Sequence, residues 1–139
     1  MGQTVRDVMT PNPLTVKATA TIVEAAKKMK EADIGPVLVL EKDKVCGIVT
    51  DRDIAIRAVA EGRNPAEVKV ADICSRDLVV LAPDASIDEA VKLMEKKAVR
   101  RLPVVDKGKP VGIVALGDLA EHRDPKSALG KISQAAPNN

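Results

Sequence analysis

Apolar and polar residues follow two rhythms along this chain, and both rhythms occur twice. Ile22, Ala25, Ala26 and Met29 fall on one face at helical spacing, and Ile87, Ala90, Val91 and Met94 do the same further on. Each set begins one residue after a hydroxyl with a glutamate three places beyond it. These pairs, Thr21 with Glu24 and Ser86 with Glu89, carry the signature of a capping box at a helix start. Apolar runs at 37–40 and 102–105 predict buried strands. The charged turns EKDK and DKGK follow them, and second strands are expected at 45–50 and 111–115. Short extended pieces at 14–16 and 79–81 precede the helices, the segments VRDVMT and VADICS lead in, and closing helices start near Asp51 and Gly117. Each set therefore reads β-α-β-β-α.

Displacing the chain by 65 residues lays one set on the other without a gap: between 4–55 and 69–120, 16 of 52 positions are identical. Gly47-Ile48-Val49 meets Gly112-Ile113-Val114 and Asp53 meets Asp118, but Thr50 meets Ala115. A unit of this kind is too small to bury both faces of its sheet, so the two copies are expected to pack together with pseudo-two-fold symmetry. The fold class is α/β (α+β), with one domain at 4–62, a linker at 63–68, a second domain at 69–124 and a tail at 125–139. Gly62 is placed to end the first closing helix. In the polar tail, Ala128, Leu129 and Ile132 suit one docking turn, and the last residues are expected to be disordered.

Composition narrows the function. The 139 residues include no Phe, Tyr or Trp, so the core must be aliphatic and methionine. The stacking platforms of single-strand binders are missing, and a net charge of +2 gives no electrostatic footprint for nucleic acid. Cys46 and Cys74 stand in no C-x-x-C spacing and read as reduced packing residues. No apolar run reaches the length of a membrane span and no signal peptide opens the chain, so a cytoplasmic location is expected. The single histidine, His122, reads as a charge complement to a helix end and cannot build a Ser/His/Asp or Cys/His set. Phosphate-loop and dinucleotide fingerprints are also missing. The chain is therefore expected not to be an enzyme.

The candidate chemistry lies where the second strand meets the closing helix. Thr50 and Asp53 are three apart, so both can address one spot near that helix start, where unpaired N–H groups favour phosphate. The Thr50 hydroxyl can bond a phosphate, and Asp53 can accept two hydroxyls of a ribose diol. The competing reading makes Thr50 an N-cap and Asp53 a first-turn helix acid. In the second copy Asp118 remains while the hydroxyl is lost, so unequal sites are expected. Asp51 and Asp53 around an arginine make a poor metal site.

The residues VRDVMTPNPLTV, IGPVLVLEKDKVCGIVTDRDI and VRRLPVVDKGKPVGIVALGDL, in this order of elements, resemble a tandem pair of CBS domains, a Bateman module, over about residues 5–123. The chain looks most like small bacterial proteins made of such a pair and little else. The resemblance implies a regulatory module that binds an adenosyl compound (AMP, ATP, an NAD-type dinucleotide or S-adenosylmethionine) in clefts between the copies. It also implies association into a disc-shaped homodimer of pairs. No cofactor is required, a magnesium ion carried by the nucleotide is compatible, and the regulated partner is not named by the sequence. On this reading Arg100 and Arg101 reach toward phosphates; the alternative pairs them with surface acids such as Glu95. Arg52 and Arg57 add positive charge near the first site, with helix-surface salt bridges as the plainer role of Arg57. The adenine would lie between aliphatic walls around Thr15, Val16, Val37, Val80 and Leu102. A scaffold module without a physiological ligand is the second reading, and nucleic-acid binding by the arginines a weaker third.

Overall fold

The computed structural model of the chain describes residues 3–123. In chain order the elements are α1 (Val5–Val8), β1 (Thr10–Pro11), β2 (Thr15–Lys17), α2 (Ile22–Ala32), β3 (Val37–Glu41), β4 (Lys44–Val49) and α3 (Asp51–Ile54). A π-helical segment (Ala55–Val59) extends α3, and α4 (Val70–Ile73), α5 (Ile87–Lys97), β5 (Arg101–Asp106), β6 (Lys109–Ala115) and α6 (Leu116–Arg123) follow. Ala128, Leu129 and Ile132 lie outside the described residues, as does the side chain of His122. Among the described residues, no helix is long and apolar enough to cross a membrane.

The chain divides into two compact units. One is Leu14–Leu78, and the other joins the residues up to Pro13 with those from Val79 on. The packing units thus exchange the leading segments of the sequence repeats: α1 and β1 pack with the second repeat, and α4 packs with the first. In the unit of residues 14–78 the sheet order is β2-β3-β4, with β2 parallel and β4 antiparallel to β3. Ser75, just after α4, bridges Ile48 on the outer edge of β4. In the other unit the order is β1-β6-β5, all antiparallel, and the expected extended piece at 79–81 appears as one parallel bridge from Leu81 to Val104.

Aliphatic side chains fill both cores, as the missing aromatics require. Val16, Ile22, Ala25, Met29, Val37, Val39, Val49, Val70 and Ile73 pack in one unit. Val5, Leu81, Ile87, Ala90, Met94, Leu102, Val104, Val114 and Leu119 pack in the other. Burying each of the larger aliphatics contributes about 1.5–3 kcal/mol. The helical faces differ from expectation at one place, since Ala26 is exposed. The backbone repeats even where side chains differ. Asp33 and Ala98 both end their helix with φ 55°, and both hairpins turn through two left-handed residues, Lys42–Asp43 and Lys107–Gly108. Two successive positive φ values match the right-handed twist of the strands and hold the hairpin tight.

The glycine at the centre of each repeated phrase has a packing reason. A methyl group on Gly47 would lie 2.7 Å from the Ser75 carbonyl oxygen and 3.1 Å from Cys74 Sγ. On Gly112 it would lie 2.5 Å from Met9 Sδ and 2.8 Å from the Thr10 carbonyl oxygen. In each unit a leading segment runs against the second strand of the hairpin, and only a glycine lets it approach.

Candidate functional site

Each closing helix begins where its hairpin ends, so strand geometry sets where the candidate carboxylate sits. Thr50 follows β4 directly. Its hydroxyl accepts the Asp53 backbone N–H at 3.1 Å, and its own N–H donates to Asp53 Oδ2 at 2.9 Å. These two bonds form a reciprocal capping box. The boxes expected on α2 and α5 are half-made by comparison. Thr21 and Ser86 accept from Glu24 and Glu89 at 3.3 and 3.1 Å, and no return bond from either glutamate is present among the described residues.

Asp53 Oδ1 faces a cation. Arg57 Nε lies 3.8 Å away, one helical turn on, and Arg57 Nη1 donates to the Ile73 carbonyl at 3.0 Å. The i,i+4 spacing of Asp53 and Arg57 is a readable ion-pair signal. The reach to Ile73 has no sequence signal, because it depends on α4 packing beside the first repeat. The Asp53 side chain is 18% exposed and that of Arg57 50%.

Register brings further candidates to the same end of the sheet. Val37, the first residue of β3, pairs with Val49, and Thr15, the first residue of β2, pairs with Leu38. Thr15, Val37, Thr50 and Asp53 thus share one sheet end. Val16 is next along β2. Val16 and Val37 are buried in the core, so what they present at that end is largely backbone. Thr15 and Val16 also line a hollow of about 550 Å³ with Lys17, Lys28, Leu40 and Lys42. There the Lys28 ammonium donates to the Thr15 carbonyl at 2.6 Å. No repeated signal points to that lysine contact, since the corresponding residue of the second repeat is Leu93.

The second repeat gathers its candidates in the same way. Arg101 pairs with Ala115 and Leu102 with Val114, while the Leu116 N–H donates to the Arg100 carbonyl at 2.7 Å. Asp118 Oδ2 accepts the Ala115 N–H at 3.0 Å, which reproduces half of the first copy's box. Arg100, Arg101, Ala115 and Asp118 therefore meet at one hairpin end. Arg100 is exposed and Arg101 half-buried, and among the described residues neither makes an ion pair, with Glu95 or otherwise. Leu102 is buried in the core, whereas Val80 is exposed and lines a hollow of about 660 Å³ with Leu81, Asp84, Glu89 and Lys92.

Both cysteines carry free thiols, Cys74 buried and Cys46 half-buried. Burial pushes both thiols up, and the nearby Arg76 guanidinium works against that rise. Among the described residues, no group of three or more His, Cys, Asp or Glu side chains is arranged to hold a metal ion.

The chain is similar to known proteins and to solved structures. A family model described as CBS domain matches residues 5–59 and again 70–124. The CBS domain-containing protein YhcV of Bacillus subtilis is 42% identical over 126 residues, covering 91% of this chain and 89% of that protein. An uncharacterized protein of Methanopyrus kandleri is 46% identical over 118 residues, or 84% of this chain, and the chain spans only 58% of that protein's length. Among solved structures, the CBS domain pair of protein MJ0100, in complex with 5′-methylthioadenosine and S-adenosyl-L-methionine, superposes with a TM-score of 0.78. It is 27% identical, and the match covers 91% of this chain and 100% of that one. With two matches in tandem over most of its length, the chain belongs to the CBS-domain family.

Proposed function

We propose that this CBS pair is a non-enzymatic regulatory module that senses an adenosyl compound of the AMP, ATP or NAD type. In this reading Asp53 takes the ribose diol and Thr50 a phosphate oxygen, while Asp118, Arg100 and Arg101 serve a second, weaker site. For adenine, Thr15 with the backbone of Val16 and Val37 supplies the wall of the first site, and Val80 with the backbone of Leu102 that of the second. No cofactor is required, and magnesium enters only as a passenger of the nucleotide. The module works in the cytoplasm, which suits its two free thiols. It assembles as a homodimer and passes its state to a regulated protein. Any response is bounded by the difference in ligand affinity between its two states.

The observation that carries this reading is the position of Asp53. Its carboxylate is bonded to backbone through Oδ2, and Oδ1 is left facing a cation at the sheet end where Thr15 and Val37 begin their strands. A carboxylate oxygen keeps lone pairs beyond one cap bond, so holding the helix start does not prevent it from accepting hydroxyls. The adenosyl ligands of the MJ0100 pair support the ligand class. A second reading, a scaffold without ligand, is favoured by one observation: the contacts of Thr50 and Asp53 are also those of an ordinary helix cap.

Ligand binding separates the two. The chain holds no Tyr or Trp, so adenine carried through purification stands out in its ultraviolet spectrum. In a thermal-shift panel of adenosyl compounds, a ligand at a hundred times its Kd stabilises by about 2.7 kcal/mol. Asp53→Ala is expected to remove most of that shift and Asp118→Ala much less. A panel in which no adenosyl compound moves the melting point decides for the scaffold.

A further inference from the structure

Arg57 is not a freely swinging surface arginine. Its Nε stands 3.8 Å from Asp53 Oδ1 while its Nη1 is tied to the Ile73 carbonyl at 3.0 Å, so one hydrogen bond holds the guanidinium beside the carboxylate. Asp53 Oδ2 is committed to the Thr50 N–H. Oδ1 is therefore the oxygen left for a ligand, and it comes with a fixed positive charge beside it. That charge acts in opposite directions on two kinds of ligand.

On the ligand reading proposed above, we infer that Arg57 makes the first site select a phosphate-bearing adenosyl ligand over an uncharged one. A bare carboxylate that grips a ribose also repels the phosphate attached to it. Arg57 cancels that repulsion and keeps its Nη2 donors for a phosphate oxygen. For an uncharged adenosyl compound the same guanidinium competes with the sugar hydroxyls for Oδ1 and returns nothing. The residue at the corresponding position of the second repeat is His122, which carries no permanent charge, so this selectivity belongs to the first repeat.

The test is calorimetric titration of the full chain with AMP and with 5′-methylthioadenosine, for the wild type, Arg57→Gln and Arg57→Lys. Each titration is repeated with Asp118→Ala to read the first site alone. Arg57→Gln is expected to weaken AMP about tenfold and to leave 5′-methylthioadenosine unchanged or tighter, while Arg57→Lys keeps the preference for AMP. A purely structural role would weaken both ligands together, and that result overturns the inference. So does an Arg57→Gln chain that binds both as the wild type does, and in either case the ligand reading itself stands. A wild type that binds no adenosyl compound at all removes both.

Discussion

The two copies of the Gly-Ile-Val phrase differ in how their strand is joined to the helix beyond it. In the first, the hydroxyl of Thr50 and the carboxylate of Asp53 hold each other's backbone N–H, and Arg57 steadies the carboxylate from its other side. In the second, Asp118 makes the single bond to Ala115 that a lone aspartate can make. The hairpins and the helices before them repeat, down to matching left-handed residues in the turns and helix ends, although only the first copy forms a full parallel strand ahead of its helix. The common part of the phrase serves packing, because each glycine admits a leading segment against its strand. The part that differs is polar and lies at the sheet end where ligand chemistry is proposed. Repetition in this protein thus marks architecture, and departure from repetition marks where the two halves can act differently.

If the glycines are architectural, replacing either should cost stability by a similar amount whatever happens at the polar junction. Gly47→Ala and Gly112→Ala each place a methyl under 3 Å from a backbone carbonyl oxygen, which cannot turn aside as a side-chain end can. Overpacking of this kind costs about 1–3 kcal/mol, the largest effect foreseen here. Denaturant unfolding of the two variants measures it. A neutral Gly112→Ala beside a damaging Gly47→Ala would mean that the leading segments are held differently in the two units.

Most of this architecture was legible in the sequence. The order of strands and helices follows from apolar spacing and turn residues, and the fixed offset of 65 residues exposed the duplication. The identity of Thr50 and Asp53 as a pair was legible too, since three-residue spacing after a strand signals either a cap or a contact point. What stayed hidden depends on pairing between distant segments. No periodicity places Ser75 beside Ile48 or α4 within reach of Arg57, because leading segments exchanged between repeats leave no local trace. The half-made caps of α2 and α5 were equally unreadable: the motif supplies a glutamate but does not fix where its side chain goes. The aliphatic candidates Val37 and Leu102 sit wholly inside the core. An apolar residue beginning a strand looks the same in sequence whether it lines a ligand or a core.

The cap difference can be exchanged between the copies. Thr50→Ala removes an N-cap acceptor and is expected to cost about 1 kcal/mol. Ala115→Thr supplies the missing hydroxyl opposite Asp118 and is expected to return about half of that, with the double variant about 0.5 kcal/mol below the wild type. Thermal unfolding of the three variants checks the sum. If Ala115→Thr also raises the thermal shift given by a nucleotide, the hydroxyl acts on ligand as well as on the helix. If it changes stability alone, the asymmetry is one of capping.

The smallest expected difference is chemical and again one-sided. Both thiols belong to the unit of residues 14–78, and the corresponding positions of the other repeat pattern hold Val111 and Met9. Burial raises the proton affinity of Cys46 and Cys74 in the folded chain above that of an ordinary thiol, which titrates at about pH 8.5. The folded state then keeps protons that the unfolded chain gives up. Stability from this source is fully present below the ordinary thiol range and is lost as pH rises through the folded values. Amide exchange measured at neutral and at alkaline pH should show residues 14–78 losing protection faster than the other unit, after correction for the intrinsic pH dependence of exchange. A Cys46→Val, Cys74→Ala chain should lose that difference. If the double variant keeps it, the thiols are not its source.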